Sequence, residues 1–219
     1  MAAVVDFYFD IISPYACIGY QIMREYEQYM NVEVNYRPVS MAALFKVTQN
    51  KGPALIPRKY YYLKDKAPII CKYWNVERVT LPEWFEETSP TISSALPLRV
   101  ISYIQQYYPE DFDKTTRTFF SRMFTEHKTN HEVSDVEQVL NEVGIPTEIM
   151  ELAQCEGNRK ILRDNVIEAS QNNAFGVPYL VLKQIGKENE VFFGVESFPL
   201  LFHELGVPQV KHKANWAKL

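Results

Sequence analysis

The chain has 219 residues, enough for one large domain or two small ones, and 47% of them are apolar, which supplies a sizeable core. Charged residues at 23% and aromatics at 14% exclude a disordered chain, and a net charge of −4 argues against a nucleic-acid or anionic-membrane partner, because phosphates call for a basic face. No apolar run reaches membrane-spanning length, and Cys17, Cys71 and Cys155 form no CxxC, so no redox pair or zinc knuckle is present and buried thiols in a reducing compartment are expected.

Residues 3–12 read as a buried first strand rather than a signal peptide, because no basic region leads into them. Residues 14–30 read as a helix: Tyr15, Ile18, Ile22, Tyr26 and Tyr29 recur at helical spacing. Ser13 stands at its N-cap and Pro14 at the first helical position, where a missing N–H costs nothing. Val32-Glu33-Val34-Asn35-Tyr36 alternates as a second strand closed by Arg37-Pro38, and a βαβ unit of this spacing implies a parallel pair. Residues 40–58, broken by Gly52, Pro53 and Pro57, read as a long ordered loop of the kind that carries function.

Residues 58–174 are predominantly helical, with segments at 91–108, 109–128, 134–143, 147–155 and 158–174 punctuated by Gly144-Ile145-Pro146 and Gly157. Strands return at 178–182 and 190–193 across a turn at 186–189, and a last helix at 197–205 ends at Gly206. The order βαβ, helices, ββα fits one mixed sheet: an α/β, thioredoxin-like fold split by an all-helical insertion. The discontinuous sheet domain is expected over 1–58 and 175–219, and the insertion over 59–174.

Four stretches carry a specific likeness: "FYFDIISPYACIG" at 7–19, "NKGPALIPRK" at 50–59, "AFGVPYLVL" at 174–182 and "VFFGVESF" at 191–198. In this order and spacing the chain resembles a kappa-class glutathione transferase, within the superfamily of DsbA and 2-hydroxychromene-2-carboxylate isomerase. The DsbA branch opens its active helix with two cysteines, and here those places hold Ser13 and Ala16, while Cys17 is one residue off register and faces the core. The resemblance implies that Ser13 is the catalytic group, a hydrogen-bond donor to the thiolate of bound glutathione.

It further implies that Pro14 and Tyr15 lie beside the tripeptide. The backbone of Val177, ahead of a cis Pro178, pairs with the cysteinyl segment. Glu196 takes the γ-glutamyl ammonium, the backbone of Val195 takes its carboxylate, and Asn50 with Lys51 meets the glycyl end. The family usually has Ser-Asp where this chain has Val195-Glu196. Each residue also has a plainer reading: a helix cap for Ser13, a trans proline opening an edge strand, a first-turn acid for Glu196, a solvated lysine for Lys51. Arg58 and Lys59 receive no role.

The expected activity is conjugation of glutathione, as cosubstrate, to small electrophiles. The alternatives are a glutathione-dependent isomerase and a non-enzymatic thioredoxin-like binding module. No metal is expected: His127 and His131 stand four apart, but no third ligand accompanies them. Aromatics at Tyr60, Tyr61, Tyr62, Tyr73, Trp74 and Trp84 fit core or dimer packing, some lining a second-substrate pocket. A homodimer without nucleic-acid or membrane partners is expected. Ala217-Lys218-Leu219 resembles the peroxisomal C-terminal address, with mitochondrion or cytosol as alternatives.

Overall fold

The structure is a computed structural model, and it describes residues 3–88 and 91–207. The C-terminal Ala217-Lys218-Leu219 lies outside them. In chain order the elements are β1 (Ala3–Phe9), α1 (Pro14–Tyr26), β2 (Val32–Pro38), α2 (Met41–Thr48), α3 (Pro57–Trp74), α4 (Phe85–Thr88), α5 (Ala95–Tyr107), α6 (Phe112–Phe124), α7 (Val133–Val143), α8 (Ile149–Leu152), α9 (Glu156–Gln171), β3 (Tyr179–Lys183), β4 (Glu190–Phe193) and α10 (Phe198–Glu204). None of these helices is long and apolar enough to cross a membrane.

The four strands make one mixed sheet in the order β2-β1-β3-β4. β1 runs parallel to β2, from Ala3 opposite Val32 to Phe9 opposite Pro38, and antiparallel to β3, which pairs antiparallel with β4. Helices α2 to α9 all fall between the first pair of strands and the second. This is the split thioredoxin-like order that the sequence led us to expect, and its reason is visible in β1. Both faces of that strand are covered, so it reads as an almost continuous apolar run.

On one face of β1, Phe7 and Phe9 meet Tyr20 of α1 with ring centroids 6.3 and 5.6 Å apart, and Phe198 of α10 and Phe120 of α6 close the cluster. On the other face, buried Asp6 is paired with Lys183 at 2.5 Å and with Arg37 at 3.4 Å and accepts from the Asn35 amide at 3.0 Å. A buried carboxylate persists in that position because cations and an amide compensate its lost hydration. Lys183 also reaches Glu168 of α9, which joins that helix to the sheet.

Residues 40–58 are not a continuous loop. Ser40 accepts the Ala43 N–H at 3.3 Å and starts α2, and Gln49, left-handed at φ 54°, stops it. Gly52, Pro53 and Pro57 lie beyond that end, so they break the chain only after an eight-residue helix has formed. Residues 14–30 shorten to α1 plus a 3-10 turn at Glu27–Tyr29, and residues 147–155 to the single turn of α8. α3 opens the predominantly helical stretch and runs through Pro68, a residue that ordinarily breaks a helix interior.

Candidate active site

The chain leaves β1 at Phe9 and enters α1 at Pro14, and Asp10 fixes the four residues between. Its side chain is fully buried. One carboxylate oxygen accepts the Ile12 N–H at 3.3 Å; the other accepts the Met41 N–H at 2.7 Å and the Ser94 hydroxyl at 2.9 Å. Burial pushes its pKa up to about 6, against these hydrogen bonds, which favour the charged form. The backbone carbonyl of Asp10 accepts the Ser13 N–H at 3.0 Å, so the turn into α1, α2 and the start of α5 converge on one residue.

Ser13 caps α1: its hydroxyl oxygen accepts the Ala16 N–H at 3.1 Å, and its backbone is extended at φ −95°, ψ 116°. The same hydroxyl donates to the carbonyl of Val177 at 3.3 Å, across 164 residues of chain. That contact depends on α1 lying close to the 177–178 segment. The Val177-Pro178 bond is cis, and a Cβ added at Gly19 of α1 would sit 3.2 Å from the Pro178 ring. Gly19 therefore lets the proline lie directly on the helix.

Two further segments reach the same point. The Asn50 side chain donates to the carbonyl of Phe175 at 2.6 Å and accepts the Lys51 N–H at 2.8 Å, which pins the end of α2 to the segment before Val177. At the end of β4, the Gly194 N–H donates to the Pro178 carbonyl at 3.0 Å. Gly194 has φ 73° and ψ 168°, a region open essentially to glycine, and an added Cβ would meet the Glu196 carboxylate at 2.7 Å. Gly194→Ala is expected to cost about 1–3 kcal/mol of stability. A urea midpoint that does not move would refute this.

These segments enclose a cleft of ≈ 720 Å³, within the range of small-molecule sites. Ser13, Pro14, Tyr15, Asn50, Lys51, Val177 and Glu196 all line it. Pro178 and Val195 do not: the first packs on α1 and the second is buried in the 3-10 turn Val195–Ser197. The Tyr15 phenol is buried and is held protonated by burial first, then by the nearby Glu196 and Tyr62. Beyond Ser13 the wall turns apolar, with Ile12, Met41, Leu63, Phe85 and Ile92. Tyr60 and Tyr62 also face the cleft, whereas Trp74 is buried against Tyr26 and Phe202.

Arg58 and Lys59, given no role from sequence, line the cleft as well. Their signal was present in the stretch "NKGPALIPRK", which closes on them. Among the described residues the charged lining of the cleft is Lys51, Arg58, Lys59 and Glu196.

Cys17 is buried away from the cleft; the Gln21 amide points at its sulfur at 3.6 Å, and burial pushes the thiol far above its ordinary range. Cys71 is also buried, but Cys155 is exposed, where its sulfur accepts the Asn158 N–H and caps α9, so the expectation of three buried thiols fails there. His127 and His131 share no helix face. α6 ends at Phe124, His127 has φ 59° and meets the Thr80 hydroxyl at 2.8 Å, and His131 pairs with Glu132 at 3.2 Å.

Known proteins match this chain over nearly its whole length. It is similar to "Glutathione S-transferase kappa 1" of Caenorhabditis elegans, 27% identical over 208 residues that cover 94% of this chain and 92% of that one. It is similar to the protein of the same name from Rattus norvegicus, 23% identical over 209 residues, covering 93% and 91%. Among solved structures, 2-hydroxychromene-2-carboxylate isomerase superposes with a TM-score of 0.71 at 18% identity, over 93% of this chain and 94% of the isomerase. A family model for the DSBA-like thioredoxin domain matches residues 4–206, the stretch from β1 through the end of α10 that carries the sheet, the serine-capped helix and the cis-proline segment, and the chain accordingly belongs to the DsbA-like thioredoxin family.

Proposed function

We propose that this protein is a glutathione transferase that joins the thiol of glutathione to a small, uncharged, apolar electrophile. The observation that carries the reading is a lone serine hydroxyl at the start of α1, facing the Val177 backbone in a large cleft, where the DsbA branch keeps a cysteine. Positions 13 and 16 hold no thiol, so the reactive sulfur comes with the substrate. The kappa-class relatives supply the chemical identity of that thiol.

The energetics suffice. A free thiol titrates near 8.5, and bringing it to about 6.5 takes roughly 2.7 kcal/mol. One hydrogen bond to a charged group supplies about 1.5–3 kcal/mol and a helix N-terminus about 0.3–1 more. Ser13 at the head of α1 offers both, and it acts as a donor to the thiolate rather than as a covalent nucleophile. Val177 would pair with the cysteinyl segment as a short added strand. Glu196 would meet the γ-glutamyl ammonium. Asn50 would serve the glycyl end indirectly, because its amide already holds the Phe175 carbonyl.

Charge bears on the second substrate. Three cations and one acid line the cleft, and glutathione as a thiolate brings two carboxylates, a sulfur anion and one ammonium. The loaded cleft is then formally neutral, and its inner wall is apolar, which suits an uncharged electrophile. Met41→Ala is expected to raise KM for an apolar aromatic electrophile about tenfold, the worth of roughly 1.5 kcal/mol of lost apolar contact, with KM for glutathione unchanged. Equal KM values for both proteins would remove Met41 from that wall.

The deciding experiment titrates glutathione bound to the protein while following ultraviolet thiolate absorbance, and then identifies the product. A thiolate near neutral pH and a stable thioether conjugate support the transferase. Regenerated glutathione with a rearranged substrate would indicate the isomerase. No thiolate near neutral pH would leave only a binding module. The family resemblance also carries a homodimer, which light scattering of the full chain tests.

A further inference from the structure

Resting on that reading, we infer that the Ser13–Val177 hydrogen bond is a latch, opened by the peptide backbone of glutathione, that couples docking of the tripeptide to activation of its thiol. The Ser13 hydroxyl has a single proton. It is directed to the Val177 carbonyl at 3.3 Å, while the hydroxyl oxygen accepts the Ala16 N–H. A thiolate needs that same proton, so sulfur and carbonyl compete for it.

The geometry makes the exchange easy. At 3.3 Å the bond is well beyond the usual 2.7–2.8 Å for an O–H donor, hence weak. Ser13 is 5% exposed and Val177 6% exposed, so what reaches them comes through the cleft that both line. A peptide laid along Val177 brings an amide N–H to its carbonyl. A carbonyl already accepting an amide N–H holds a second donor less tightly, and the hydroxyl can rotate toward sulfur while its oxygen keeps the Ala16 N–H and the helix cap. The thiol then loses its proton to water and the sulfur anion accepts the Ser13 O–H. Docking and release favour one another to the same extent, as linkage requires. A thiol without a peptide N–H does not open the latch and meets a hydroxyl already engaged.

The test uses S-methylglutathione, whose thioether sulfur accepts hydrogen bonds only weakly and so gives little return for turning Ser13. In wild-type protein its backbone must still weaken the latch. In Ser13→Ala the Val177 carbonyl is already free, so S-methylglutathione should bind about two- to fivefold more tightly to the variant by calorimetry, the worth of one long neutral hydrogen bond. Ser13→Gly, which keeps a tolerated helix start, should show the same gain, and Ser13→Thr, which keeps the hydroxyl, should match wild type. Unchanged or weaker binding in both hydroxyl-free variants overturns the latch, as does tightening in Ser13→Thr. If the thiolate of glutathione itself still depends on Ser13 in that event, the transferase reading stands and only the coupling falls. If S-methylglutathione binds no form of the protein, the transferase reading falls with it.

Discussion

Ser13→Ala is expected to lower kcat/KM for glutathione conjugation about ten- to a hundred-and-fiftyfold, the equivalent of one hydrogen bond to a charged group at about 1.5–3 kcal/mol. The loss should appear mainly in the chemical step. The pH at which bound glutathione forms a thiolate should rise toward that of the free thiol, since only the charged form loses its partner. Stability should fall separately by about 1 kcal/mol through loss of the cap that accepts the Ala16 N–H, a change of roughly 2–4 °C in Tm. The two effects have different signatures. A purely structural serine would give the Tm change and leave the thiolate titration where it was. Full conjugating activity in Ser13→Ala would end the proposed mechanism.

The second large effect concerns Asp10. Its carboxyl is raised to about 6 by burial, from an ordinary value near 3.8. A folded-state pKa above the unfolded one means that the folded protein binds the proton more tightly. The stabilising contribution is complete below the unfolded pKa and is lost as pH rises through about 6. Between those limits the change amounts to about 3 kcal/mol. Asp10→Asn cannot titrate, so the stability of wild type relative to this variant should rise by about 2 kcal/mol, most of the whole, as pH is lowered from 6.5 to 4. Urea unfolding of both proteins across that range is the measurement. Parallel curves would show that Asp10 is better hydrated, or better compensated by the Ile12 and Met41 N–H groups, than its burial implies.

Those partners explain which features were legible in the sequence. β1, α1 and β2 announce themselves locally: the apolar run stops at Ser13-Pro14, helical spacing begins, and alternation resumes at Val32. The cis Val177-Pro178 segment and its place opposite Ser13 came from the resemblance, because no local pattern relates residues 164 apart. The hub at Asp10 left no trace. Its partners Met41 and Ser94 lie 31 and 84 residues away, and one contributes only a backbone N–H. α2 was hidden for a different reason: the breakers Gly52, Pro53 and Pro57 outweighed a short helix whose cap, Ser40, looks like any loop serine. Asn50 lines the cleft, yet its side chain serves the neighbouring segment, a contact that no local pattern announces.

The sheet also has a history written into its strand order. β1 is central, yet the strand on one of its edges, β3, is encoded after residues 39–178. At about 5–20 residues per second of synthesis, that interval lasts roughly 7–28 s. Through it, the edge of Val4, Val5, Asp6, Phe7 and Tyr8 that β3 will occupy is open, on a strand whose Phe7 and Phe9 still lack Phe198 and Phe120 in turn. The growing chain therefore carries an unpaired apolar edge for most of its time on the ribosome, a template for pairing with other chains. The helices that shape the cleft also set how long the nascent protein needs shielding.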